Sequence, residues 1–228
     1  MSPSPHLSPV AERDLRALLR ERLAGTVQGD PAEARIAGLT ADAGRPLRHL
    51  LPEHPTPAAV LIPIVDHPDE LTVLLTERAA DLRHHPGQIS FPGGRLEPGE
   101  SDPVAAALRE TEEEIGLNRR HVEVLGFLPD QLIITGYRVT PVVALVAPGT
   151  PFTLDPVEVA AVFEVPLRHV LDPANHRPRQ RTLGGLFVTL YEIPCGTRTI
   201  WGATAGMLIG LAEVLTAGAG AAGSASRG

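Results

Sequence analysis

Lysine is absent from this chain of 228 residues, whose 20 cationic side chains are all arginine. Without an ε-amine, a Schiff-base or lysine-nucleophile mechanism is excluded. Cysteine occurs once, at Cys195. No intramolecular disulfide can form, and with no catalytic motif around it a buried structural thiol is expected. Aromatic residues make up only 4% of the chain, and for Phe91, Tyr137 and Trp201 core packing is the default. Excess positive charge is missing too. A net charge of −7 argues against a general nucleic-acid binder, which needs a basic face. The longest apolar runs, such as residues 58–65, are strand-sized and far short of the roughly 20 residues that span a bilayer. Residues 1–10 are polar and rich in Pro and Ser, without the apolar centre of a signal peptide. A soluble, cytoplasmic protein is expected, with no membrane or nucleic-acid partner. The length fits one α/β domain with terminal extensions.

What is present reads as alternating strands and helices. Leu15, Leu18, Leu19 and Leu23 recur at helical spacing and predict an amphipathic helix over residues 9–24. This helix could pack on its own domain or across a homodimer, so the oligomeric state is open. Residues 30–57 form an irregular lead-in. Strands are expected at 58–65 and 71–77, joined by a turn at His67-Pro68-Asp69, and again at 121–128, 138–146, 159–165 and 186–193. Residues 203–215 predict a closing helix, and 217–228 a disordered Gly/Ala/Ser tail. The sum is a mixed sheet with helices packed on it.

One helix carries chemistry. Asp102-Pro103 is a good start, with an N-cap acid and a proline at the first helical position, and Gly116 is a good stop. In between, Val104, Leu108, Thr111 and Ile115 fall on one stripe, and Glu110, Glu113 and Glu114 on nearly the opposite side. The pattern predicts a helix docked on a core with its acids outward. Like charges at i,i+4 cost stability, and Arg109 is the one cation within the helix. A divalent Mg²⁺ or Mn²⁺ would offset the repulsion, since hard cations take carboxylate oxygens. Gly93-Gly94, just upstream, could let a phosphate or metal approach the bare backbone.

The segment Gly94-x5-Glu100-x8-Arg109-Glu110-Thr111-Glu112-Glu113-Glu114-Ile115-Gly116-Leu117 resembles the Nudix box, G-x5-E-x7-R-E-U-x-E-E-x-G-U. It departs by one extra residue after Glu100 and by Thr111 at an aliphatic position. Strict spacing would select Ser101, which is no carboxylate. Upstream, Leu74-Leu75-Thr76-x-Arg78-Ala79-x3-Arg83-x3-Gly87-x3-Phe91-Pro92-Gly93-Gly94 resembles the signature of coenzyme A pyrophosphatases within the Nudix superfamily. The resemblance implies a Nudix-type α/β/α sandwich over residues 58–216, with 1–57 as an N-terminal helix and lead-in packed on it. It implies hydrolysis of the diphosphate bond of coenzyme A to 3′,5′-ADP and 4′-phosphopantetheine. Other nucleoside diphosphate derivatives (ADP-ribose, NADH, a dinucleoside polyphosphate) share the box and are the alternative. A non-catalytic nucleotide-sensing module is the weaker one, because the box acids are all present.

The resemblance and the i,i+4 spacing together make Glu110 and Glu114 metal ligands. Glu113 is a third ligand or the base that orients water, and Glu100 is either a ligand or a solvated loop residue. The Gly93 carbonyl could complete the shell, and Glu158 is the candidate carboxylate from a later loop. Arg109 is expected to hold Glu112 or Glu113 by a salt bridge within the box. Arg78 and Arg83 are expected to bind substrate phosphates, against a simpler pairing with Glu77 or Asp81, because guanidinium groups bind phosphate bidentately. His84 and His85 are expected to be exposed.

Overall fold

A computed structural model describes residues 12–29, 34–36, 47, 51–80, 87–183 and 185–217. Asp81, Arg83, His84, His85 and residues 218–228 of the expected tail lie outside the described residues. At the centre, β2 (Thr56–Asp66) runs parallel to β8 (Tyr137–Val146) over its whole length. Both faces of β2 are buried. Ala59, Leu61 and Val65 enter one core, and Ala58, Ile62 and Ile64 enter the other. A strand covered on both sides needs apolar residues at every position, not every second one, which explains its unbroken apolar run.

Helices cover both faces. α1 (Glu12–Leu23), α3 (Leu167–Leu171) and α4 (Gly202–Thr216) pack on one side, and α2 (Pro103–Ile115) packs on the other. Leu15, Leu19 and Leu23 of α1 enter the core of their own domain. The mixed sheet has nine strands among the described residues, which with the helices makes the α/β/α sandwich. The expected strands and helices are all present, with ends shifted by a few residues.

Short or polar strands were not foreseen. A second sheet is formed by β10 (Arg177–Leu183), β11 (Leu186–Cys195) and β12 (Arg198–Trp201). β10 is polar, contains Pro178, and lies at the edge of that sheet, where period-two alternation and a full set of N–H donors are not required. Cys195, at the end of β11, is half-buried, and burial pushes its thiol up to about 11. Alkylation at pH 8 should therefore run roughly 100-fold slower in the folded protein than in the denatured one, from the smaller thiolate fraction. Equal rates measured by mass spectrometry would refute this. No helix among the described residues is long and apolar enough to cross a membrane.

The feature that creates the site is a split in the sheet. β2 pairs with β3 (Leu71–Arg78) only where Ile64–Asp66 face Val73–Leu71. Beyond that the two strands part, and residues 89–95 fill the gap. β4 (Ile89–Ser90) pairs with β3, and β5 (Gly93–Arg95) pairs with β2. The Gly-Gly segment is thus a strand wedged between two others, directly opposite α2.

Candidate active site

α2 is held by the caps its sequence predicts. The Asp102 carboxylate accepts from Val104 N at 2.9 Å, and Gly116 closes the helix in the left-handed conformation. Thr111 is fully buried at its aliphatic position because its hydroxyl donates to the Ala107 carbonyl within the helix, at 2.6 Å. The far end of α2 is tied to the rest of the domain by one loop. The amides of Thr153 and Asp155 donate to the carbonyls of Ile115 and Glu114, each at 2.9 Å. The Glu158 carbonyl, in the same loop, accepts from Ala79 N at the end of β3.

The acids do not share one outward face. Glu113 is exposed and Glu110 is half-buried, but Glu114 is only 5% exposed. It turns toward β5 and accepts the Gly93 N–H at 3.2 Å. Burial pushes the Glu114 carboxyl up to about 7. The Gly93 N–H and the positive charge of Arg78 pull the other way, while Glu158 and Glu110 add to the rise. The expectation of outward acids fails because helical periodicity shows which residues share a face, not how closely another strand approaches that face.

The glycines make room within the protein itself. A Cβ on Gly94 would lie 2.5 Å from the Glu110 carboxylate. Gly93 has φ of 149° and its Cβ would strike the Ala59 carbonyl, so β2 itself requires glycine there. The bare backbone makes room for Glu110 and for β2, before any ligand. Gly94→Ala should displace Glu110 and lower kcat/KM roughly 100-fold, as a misplaced catalytic group does. Parent-like turnover in G94A would show that the position of Glu110 does not matter.

Arg109 gathers the cluster. One terminal nitrogen donates to Glu110 at 2.8 Å and lies 3.4 Å from Glu113; the other reaches Glu100 at 3.2 Å and the Arg95 carbonyl at 3.1 Å. Hydrogen bonds to Glu110 and Glu100 hold its guanidinium well above the usual range. Glu112 is not among its partners; it faces Arg119 at 3.4 Å. Glu100 belongs to the network. The Glu97 N–H, at 3.0 Å, and Arg109 hold its carboxyl below the ordinary value. The inserted residue before α2 therefore still lets Glu100, and not Ser101, meet Arg109.

Arg78 sits at a bulge where β3 ends, its amide donating to Gln88 O at 3.0 Å. Glu77 is not its partner, because Arg198 takes Glu77 at 3.0 Å. Among the described residues Arg78 has no carboxylate partner, and its charge acts on Glu114. Phe91 is core. Trp201 is 46% exposed, and Tyr137 is engaged by Arg95, a residue the sequence gave no reason to single out.

The donor set fits a divalent cation in chemistry. It consists of hard carboxylate oxygens, one of them, on Glu114, buried and in no ion pair among the described residues. Glu110, Glu114, Glu113 and Glu100 are the side chains that would hold it. Among the described residues no three acidic, His or Cys side chains converge tightly enough to hold an ion, and Arg109 engages three of these four.

A split mixed sheet between helices, with Arg109 and these glutamates set against a Gly-Gly strand, defines a pyrophosphohydrolase of one class. The chain belongs to the Nudix family, whose NUDIX domain it matches over residues 55–184. Nudix hydrolase NudL of Escherichia coli K12 is 42% identical over 159 residues, covering 68% of this chain and 80% of that protein. Among solved structures, a Caenorhabditis elegans Ap4A hydrolase is 22% identical, with a TM-score of 0.43 over 48% of this chain and 80% of that one. The NUDIX domain of Shewanella oneidensis NrtR, complexed with ADP ribose, is 18% identical, with a TM-score of 0.41 over 52% and 77%. Membership rests on the domain match and the E. coli relative. Nudix hydrolases generally use divalent metal ions.

Proposed function

We propose that this enzyme hydrolyses the diphosphate bond of coenzyme A, with Mg²⁺ or Mn²⁺, to 3′,5′-ADP and 4′-phosphopantetheine. The observation that carries the reading is Arg78. It is a half-buried guanidinium with no carboxylate partner among the described residues, its charge acting on Glu114, inside the segment that resembles the coenzyme A signature. Arg83 belongs to the same segment, and both are assigned to substrate phosphates.

The bound metal would neutralise charge on the diphosphate oxygens and lower the pKa of water. The chain's own residues do the rest. Glu110 and Glu114, with Glu100 and the Gly93 carbonyl, form the ligand set. Glu113 is exposed and only weakly held by Arg109, so it is placed to take the proton of the attacking water. The water oxygen forms a bond to one phosphorus, the anhydride P–O bond breaks, and the departing phosphate leaves as an anion. Arg78 stabilises that charge. Gly94 and Arg109 keep Glu110 in place throughout.

The test is an assay of the purified chain with Mn²⁺ or Mg²⁺ against coenzyme A, ADP-ribose, NADH and diadenosine tetraphosphate. Coenzyme A should give the highest kcat/KM, with both named products, and chelation should abolish turnover. A preference for another member of the panel would replace coenzyme A with that substrate class. Activity unchanged in Arg78→Gln would remove Arg78 from binding.

A further inference from the structure

The carboxylates occupy one face of β5 only. Gly94 pairs with Ala59, on the α2 side, and turns toward Glu110. Arg95 pairs with Ala58 and projects to the opposite face, as successive strand residues must. There its guanidinium donates to the Tyr137 hydroxyl and lies over the Tyr137 ring, 5.2 Å from the centroid. Its main-chain carbonyl is bound by Arg109, so the backbone that carries it is the backbone that orders the catalytic acids.

Three properties set this arginine apart. It is exposed. In a chain of net charge −7 it has no carboxylate partner among the described residues. Its orientation comes from an aromatic ring, which attracts a cation without neutralising it. A guanidinium has five N–H donors in a fixed fork; the tyrosine hydroxyl uses one, and no other side-chain partner among the described residues takes the rest. Such a group is matched to phosphate. Because it faces away from Glu110 and Glu114, the phosphate it takes is not the one under attack.

We propose that Arg95, positioned by Tyr137, binds a phosphate of the substrate outside the scissile anhydride. The assignment deepens the coenzyme A reading and rests on it, since there this phosphate is the 3′-monoester of the ribose. Arg78 and Arg95 then hold the nucleotide from opposite faces of the 89–95 insert. Arg95 fixes the nucleoside end, and Arg78 the diphosphate.

Calorimetric binding of 3′,5′-ADP and of 5′-AMP to the full chain isolates this phosphate without requiring turnover. The parent should bind 3′,5′-ADP roughly tenfold or more tightly than 5′-AMP, the scale of one charge-assisted hydrogen-bonded pair. In Arg95→Gln the ratio should fall to about twofold or less, with Arg95→Lys and Tyr137→Phe in between. In coenzyme A hydrolysis the R95Q loss should fall on KM, with kcat nearly kept. A purely structural role would weaken both nucleotides alike and lower the melting temperature. Equal binding of the two nucleotides by the parent, or an R95Q ratio equal to the parent's, overturns the assignment. Hydrolysis of coenzyme A without the nucleotide preference sinks the Arg95 site alone. The preference without hydrolysis leaves that site standing and sinks the coenzyme A reading.

Discussion

Glu114→Gln should abolish hydrolysis and, in the same molecule, make the metal-free protein more stable at pH 8. Both effects come from burial. Glu114 is 5% exposed and its carboxyl is pushed up to about 7 from the ordinary 4.5, chiefly by desolvation. The folded state therefore holds its proton more tightly than the unfolded chain. By linkage, stability falls as pH rises from about 4.5 to about 7 and is then level, because over that window the native state binds more protons. At about 1.4 kcal/mol per pKa unit the penalty above pH 7 amounts to about 3 kcal/mol. A glutamine has no such penalty, and its amide oxygen can still accept the Gly93 N–H. The difference between parent and E114Q melting curves across pH 4–8 isolates this one group. As a metal ligand, Glu114 should cost on the order of 10³-fold or more in kcat/KM, beyond the 10–100-fold typical of outer-shell partners. An active E114Q would remove it from the ligand set, and an E114Q destabilised at pH 8 would contradict the buried-charge account.

Arg109→Leu should do the opposite to stability. It leaves Glu100, Glu110 and Glu113 without their shared cation and frees the Arg95 carbonyl. The pairs are partly exposed, Glu113 most of all at 62%, so solvent screening keeps the loss modest, a lowering of the melting temperature and not unfolding. Turnover should fall roughly 100-fold, since Glu110 loses its anchor. Lysine should rescue poorly, because one ammonium cannot bridge carboxylates and a carbonyl at both ends of a planar fork. Mn²⁺ should raise the R109L melting temperature more than the parent's, since the ion supplies the missing positive charge. A parent-like response to Mn²⁺ would show that Arg109 and the metal do not address the same acids.

Local chemistry made much of this legible from the chain alone. Asp102-Pro103 and Gly116 bound α2 because capping is decided within a few residues. The continuous apolar stretch became β2 because covering both faces of a strand leaves no polar positions. The Arg-Glu-x-x-Glu-Glu run led to the box residues. What misled was distance along the chain. Short-range spacing points Arg109 to Glu112 or Glu113, and Glu113 does lie 3.4 Å away, yet the arginine also spans back to Glu100 and to the Arg95 carbonyl. Of the two acids near Arg78 in sequence, Glu77 is taken by an arginine from β12 and Asp81 lies outside the described residues. Arg95 drew no notice, because its partner, Tyr137, lies 42 positions away.

By itself the sequence determined the main strands and helices, the caps and the chemical class, since these depend on residue type and short-range spacing. Only the tertiary structure decided which acid is buried, why Gly93 and Gly94 must be glycine, and which arginine faces which side of β5. These follow from the split between β2 and β3, into which residues 89–95 are wedged against α2. The electric environment of Glu114 is set by how closely that inserted strand approaches, a distance no periodicity along the chain encodes.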